Sequence, residues 1–105
     1  MFIVNRGYII VRPKQVFIDW ANRMEPDFEI DADGEPTIYL IDEEFYDDEL
    51  MLQQNFKRIF LNELDAVTDD ESSFPEVKLE VFKEWFTVEL GSTVFDSLKK
   101  GLDRD

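Results

Sequence analysis

Large apolar residues return every three or four positions through 52–67, at Leu52, Phe56, Ile59, Phe60, Leu64 and Val67, which predicts an amphipathic helix of about five turns. A helix that long with one apolar stripe has to bury it against a second layer, and the rest of the chain must supply that layer. Acids mark its start. Asp47 or Asp48 suits the cap, and the carboxylates of 42–49 suit the positive end of the helix dipole.

Strand signals lie on both sides of this helix. Residues 7–11, Gly-Tyr-Ile-Ile-Val, are β-branched and apolar enough for a buried strand, and so are 37–41, Thr-Ile-Tyr-Leu-Ile. Between them Val16, Phe17, Trp20, Ala21 and Met24 form one helical stripe, which ends before Pro26, with Pro13 suited to the first turn of that helix. Residues 27–35 end in the turn dipeptide Asp33-Gly34; they form either a hairpin arm onto the following strand or a loop, and a loop fits better.

Residues 68–73 read as a polar loop closed by Phe74-Pro75. Val77, Val81, Phe82, Trp85 and Phe86 then mark a shorter helix, and Phe86, Val88 and Leu90 alternate with Thr87 and Glu89 as a half-buried strand does. The two periods overlap at Trp85-Phe86, so that boundary stays open. Ser92 can cap a last short helix carrying Val94, Phe95 and Leu98, followed by a frayed tail from about 99. Phe2, Ile3 and Val4 form an edge strand or a dimer contact. Strands separated by helices predict a single two-layer α+β domain over 1–105, with a sheet of about three strands and helices packed mainly on one face.

Size and ring content agree with one packed core. The chain has 105 residues and fifteen aromatics, and its Phe, Tyr and Trp run along the whole length, which disordered acidic chains lack. Cysteine is absent, which excludes disulfides and thiolate metal sites. The apolar residues of 1–11 are broken by Asn5, Arg6 and Gly7, and no apolar run approaches the roughly 18 residues of a membrane span, so a cytoplasmic protein without membrane contact is expected.

Charge is distributed unevenly. The net charge is −14, and 25–54 hold twelve acids and no base, while 1–24 are net +3. Affinity for phosphates comes mainly from Lys and Arg, so direct nucleic-acid or anionic-lipid binding through the acidic stretch is excluded. A charged partner is expected to be a basic protein surface, met by Glu29, Asp31, Asp33, Glu35, Asp42, Glu43, Glu44, Asp47 and Asp48.

Three further constellations bear on chemistry. With Gly34 at position six of a calcium loop, Glu29, Asp31 and Asp33 fall at positions one, three and five, but position eight is Pro36 and position twelve, which needs a bidentate Glu, is Leu40. A solvated acidic turn fits better, and neither a metal nor another cofactor is expected. Arg12 and Lys14 flank Pro13 at a strand-to-helix junction and form a candidate anion site, although pairing with the chain's own acids competes with it. Trp20 and Trp85 sit on apolar stripes, which assigns them to the core. With no His or Cys, an enzyme would have to rely on carboxylates such as Asp42, Glu43, Glu44, Asp47 and Asp48, or on Ser, Lys or Tyr, with no recognisable spacing. A non-enzymatic interaction or regulatory domain is therefore the first reading; a small enzyme using carboxylates in a pocket and a nucleic-acid mimic are the alternatives.

The segment Val11-Arg12-Pro13-Lys14-Gln15-Val16-Phe17-Ile18-Asp19-Trp20, then Tyr39-Leu40-Ile41 followed by acids, and finally Glu84-Trp85-Phe86 with Val94-Phe95-Asp96, together resemble a group of short, acidic, uncharacterised bacterial proteins. The resemblance implies a bacterial cytosolic origin and an independent domain. It implies no activity.

Overall fold

Strand β2 (Gly7–Pro13) is the middle strand of a three-stranded antiparallel sheet ordered β3-β2-β4, where β3 spans Thr37–Ile41 and β4 spans Phe86–Gly91. The coordinates are a computed structural model, and they describe residues 1–27, 35–44 and 47–98. The central position of β2 follows from its composition, because Ile9 and Val11 are fully buried on one face and β-branched residues fill a pleated, enclosed site well. The register pairs Ile9 with Tyr39 and Leu90, and Ile10 with Ile38 and Glu89. Residues opposite one another share a face, so Ile9, Val11, Tyr39, Ile41, Val88 and Leu90 point inward while Tyr8, Ile10, Arg12, Ile38, Leu40 and Glu89 point outward.

Helices cover the inward face. Helix α1 (Gln15–Met24) contributes Phe17, Trp20 and Ala21, helix α2 (Asp48–Asp65) contributes Met51, Leu52, Phe56, Ile59, Phe60 and Leu64, and helix α3 (Leu79–Trp85) contributes Phe82 and Trp85. These join Ile9, Val11, Ile41 and Phe86 in one core, so the domain is α+β in two layers. Its centre is aromatic. The Phe60 ring centroid lies 5.4 Å from Phe82, 5.8 Å from Phe86 and 6.0 Å from Trp85, and Trp20 lies 5.6 Å from Trp85, all tilted or edge-on as ring quadrupoles prefer. Trp20 also donates its indole N–H to the Ser73 carbonyl at 3.0 Å, which ties the polar loop to the core. Both tryptophans are buried there.

The overlap of periods at Trp85-Phe86 is resolved by a direct junction. The helix runs through Trp85, and Phe86 is already extended at φ −137° and ψ 146°. Both rings stay in the core across the change, which is why each residue fits both patterns. The expected last helix is absent from its place. Val94–Asp96 form strand β5, paired antiparallel with β1 (Phe2–Val4), with Ile3 opposite Phe95. A helix of about two turns is marginal on its own, whereas β-branched Val94 and aromatic Phe95 suit a ladder that also satisfies the first strand. Pro13 likewise ends β2 rather than opening α1, at a point where β2 has run past β3 and Phe86 alone is opposite. The choice between hairpin and loop for 27–35, and the tail from 99, lie outside the described residues.

Two local contacts show how particular residues shape these elements. A Cβ added to Gly91 would run into the Tyr8 ring, so the bare backbone of edge strand β4 is covered by an aromatic from β2. Asp47 is the N-cap of α2, and its carboxylate accepts the Leu50 backbone N–H at 2.8 Å. Asp47→Ala is expected to lower unfolding free energy by about 1 kcal/mol in urea titration, and Asp48→Ala by clearly less, because Asp48 contributes only to the dipole. Equal effects would remove the capping role from Asp47.

Candidate functional site

A groove runs between β3 and α2. At one end it is a polar cleft of about 600 Å³ lined by Arg6, Leu40, Ile41, Asp42, Glu43, Met51, Gln54, Asn55 and Arg58. Asn55 is the buried polar residue of α2. Its amide donates to the Met51 carbonyl at 2.7 Å, and its oxygen accepts from Arg58. That contact holds the Arg58 guanidinium over the cleft with donors to spare. Arg6 reaches the same cleft from the β1–β2 turn and donates to the Asn5 carbonyl at 2.7 Å.

Further along, the groove narrows to about 310 Å³ between Tyr39, Leu40 and Ile41 of β3 and Asn55, Arg58, Ile59 and Asn62 of α2. Here Tyr39 donates its hydroxyl to the Glu63 carboxylate and accepts from the Asn62 amide at 3.0 Å. Burial pushes the Glu63 carboxyl above its ordinary value, against the hydrogen bonds from Tyr39 and Thr37, which favour the ionised form. Burial likewise raises the Tyr39 phenol, reinforced by its bond to Glu63. The cluster is a polar latch joining β3 to α2 across the apolar layer, and its oxygens are already occupied by one another.

The acidic residues singled out in the sequence separate into three groups. Glu35 lies with Pro13, Phe17, Thr37, Glu63, Ala66 and Val67 around a groove of about 240 Å³. Asp42, Glu43, Glu44, Asp47 and Asp48 are exposed around the start of α2, and Asp42 accepts the Glu44 backbone N–H at 3.0 Å. Glu29, Asp31 and Asp33 lie outside the described residues. Ion pairs among the described residues join Lys78 to Glu76 and Lys83 to Glu49, each at 2.8 Å, and neither touches Glu35, Asp42, Glu43, Asp47 or Asp48. Arg12 and Lys14 diverge: Arg12 is exposed on the outward face of the sheet opposite Thr87, while Lys14 donates its ammonium to the Lys83 carbonyl at 2.7 Å, in the last turn of α3. A cation there complements the negative end of that helix.

Asn55, Arg58 and Glu63 belong to the site and were not candidates in the sequence. Asn55 falls between Leu52 and Ile59 at stripe spacing, and Glu63 falls three and four residues after Phe60 and Ile59. A polar residue on an apolar stripe was the available signal. Among the described residues no group of three or more carboxylates is placed to hold a metal ion, and no helix is long and apolar enough to cross a membrane. No protein-family model, curated protein or solved structure matches the chain.

Proposed function

We propose that this domain works by protein contact, drawing a basic partner to the carboxylates around the start of α2. The observation that carries this is the exposure of Asp42, Glu43, Asp47 and Asp48 beside ion pairs that, among the described residues, use other acids, so that their field acts outward. Arg6 and Arg58 in the adjoining cleft and the neutral amides of Gln54 and Asn55 give a bound segment hydrogen-bond partners once it has been steered there. A cytoplasmic location, in keeping with the resemblance to small bacterial proteins, belongs to the same reading. The enzyme alternative has one observation on its side, the raised Glu63 carboxyl at the groove. Tyr39 and Thr37 already engage that carboxyl, which fits a latch better than a proton-transfer group.

A lysine-rich synthetic peptide with a fluorescent label tests the reading by anisotropy at low and high salt. Neutralising Asp42, Glu43 and Asp48 together, to Asn, Gln and Asn, is expected to weaken binding about tenfold at low salt and to flatten its salt dependence. Neutralising Asp65, Asp69 and Glu80 removes the same charge elsewhere and is expected to change affinity much less. Equal losses from the two variants would show that only net charge matters, and the proposed surface would be wrong.

A further inference from the structure

The outward face of the sheet is apolar where solvent would favour polar residues. Register places Tyr8, Ile10, Ile38 and Leu40 there, and Ile38 and Leu40 remain 60 % and 46 % exposed. The β1–β5 ribbon brings Val94 and Phe95 alongside, and together these residues enclose a groove of about 280 Å³. Phe95 is itself 56 % exposed, and Ile3, opposite it in the ribbon, is 65 % exposed. Among the described strands β3 is an edge of the sheet, and its sequence Thr-Ile-Tyr-Leu-Ile carries no charge to discourage another chain.

The charges around this face differ from those of the rest of the chain. Arg12 and Glu89 lie on it by register. One base therefore answers one acid on this face, in a chain of 11 bases and 25 acids. A cationic partner gains nothing here that the start of α2 does not offer more strongly. A patch with an apolar centre and a balanced rim is self-complementary under two-fold rotation, because each copy presents both signs to the other.

We propose that this face is the contact between two copies of the chain in an isologous dimer, with Ile38, Leu40 and Phe95 at its centre. The dimer is independent of the basic-partner reading and has the opposite response to salt. Each copy carries −14, so screening strengthens dimerisation, whereas it weakens attraction to a cationic peptide.

Sedimentation equilibrium across micromolar to submillimolar concentrations, at low and high salt, tests this. The wild-type chain is expected to dimerise, and more tightly at high salt. Ile38→Lys is expected to weaken association about tenfold or more while leaving the melting temperature of the dilute monomer in place, since the side chain stands mostly in solvent. Val16→Lys on α1, also about half exposed at 48 %, is expected to leave association unchanged. A chain that stays monomeric at every concentration and salt overturns the proposal. So does a dimer that tolerates Ile38→Lys, or one that Val16→Lys disrupts as strongly.

Discussion

Phe60→Ala is expected to lower the unfolding free energy by about 3–5 kcal/mol, the range for truncating a large buried aromatic. The ring is fully buried on the inner side of α2, and three other rings from α3 and β4 pack around it within 6.0 Å between centroids. Removing it leaves a cavity lined by Phe82, Trp85 and Phe86, which are rigid groups with little capacity to collapse inward. Domains of this size have total stabilities of about 5–15 kcal/mol, so the variant sits near the threshold of folding. Its melting temperature should fall by roughly 12–40 °C at about 4–8 °C per kcal/mol. Leu61→Ala, one residue further along α2 but exposed, is the control and should shift the midpoint by only a degree or two. A Phe60 variant that melts within a few degrees of the parent would mean that the aromatic cluster does not carry the core.

The elements legible in the sequence were those whose signal was local. Helix α2 shows its stripe over many turns, and β2 and β3 are rich in β-branched and aromatic residues, so nothing distant was needed to recognise them. The Trp85-Phe86 junction was ambiguous because both rings are buried; burial decides which residues are apolar and leaves the backbone state to packing. Strand β5 was misread for a different reason. Its partner Phe2–Val4 lies at the other end of the chain, and a short stretch opening with Gly91-Ser92 resembles a capped helix when that partner is out of view. The candidate site followed the same rule. Individual carboxylates are visible as letters, whereas the Tyr39–Glu63 latch and the Asn55–Arg58 contact exist only once β3 and α2 lie side by side, and the acids of 29–33 fall outside the described residues.

Lowering the pH from neutral towards 5 is expected to stabilise the fold, and added salt at neutral pH to do the same. The pH effect comes from Glu63. Its carboxyl is raised in the folded chain by burial, with Tyr39 and Thr37 hydrogen-bonded to it and Glu35 on the same groove, while in the unfolded chain it returns to its ordinary value of 4.5. Between those two values the folded chain holds a proton that the unfolded chain has released, so stability rises as pH falls through the raised value and levels off near the ordinary one. Glu63→Gln keeps an oxygen for the Tyr39 hydroxyl and removes the ionisable group; it should flatten the pH dependence in this window and match or exceed the parent midpoint at neutral pH. On the alkaline side the raised Tyr39 phenol acts in the same sense, favouring the fold at the lower pH. The fold keeps it neutral, so its contribution is complete below the ordinary value of 10.0 and is lost as pH climbs above it. Salt acts on the whole surface: at net −14 the compact state repels itself more than the expanded chain does, and screening relieves this by about 4–8 °C for each kcal/mol recovered. The two contributions separate in one set of melts, because Glu63→Gln should retain the salt response while losing the acid one. A parent chain whose midpoint is unchanged or lowered by salt would mean that internal pairs already compensate the acids, and with them the outward field on which the basic-partner reading stands.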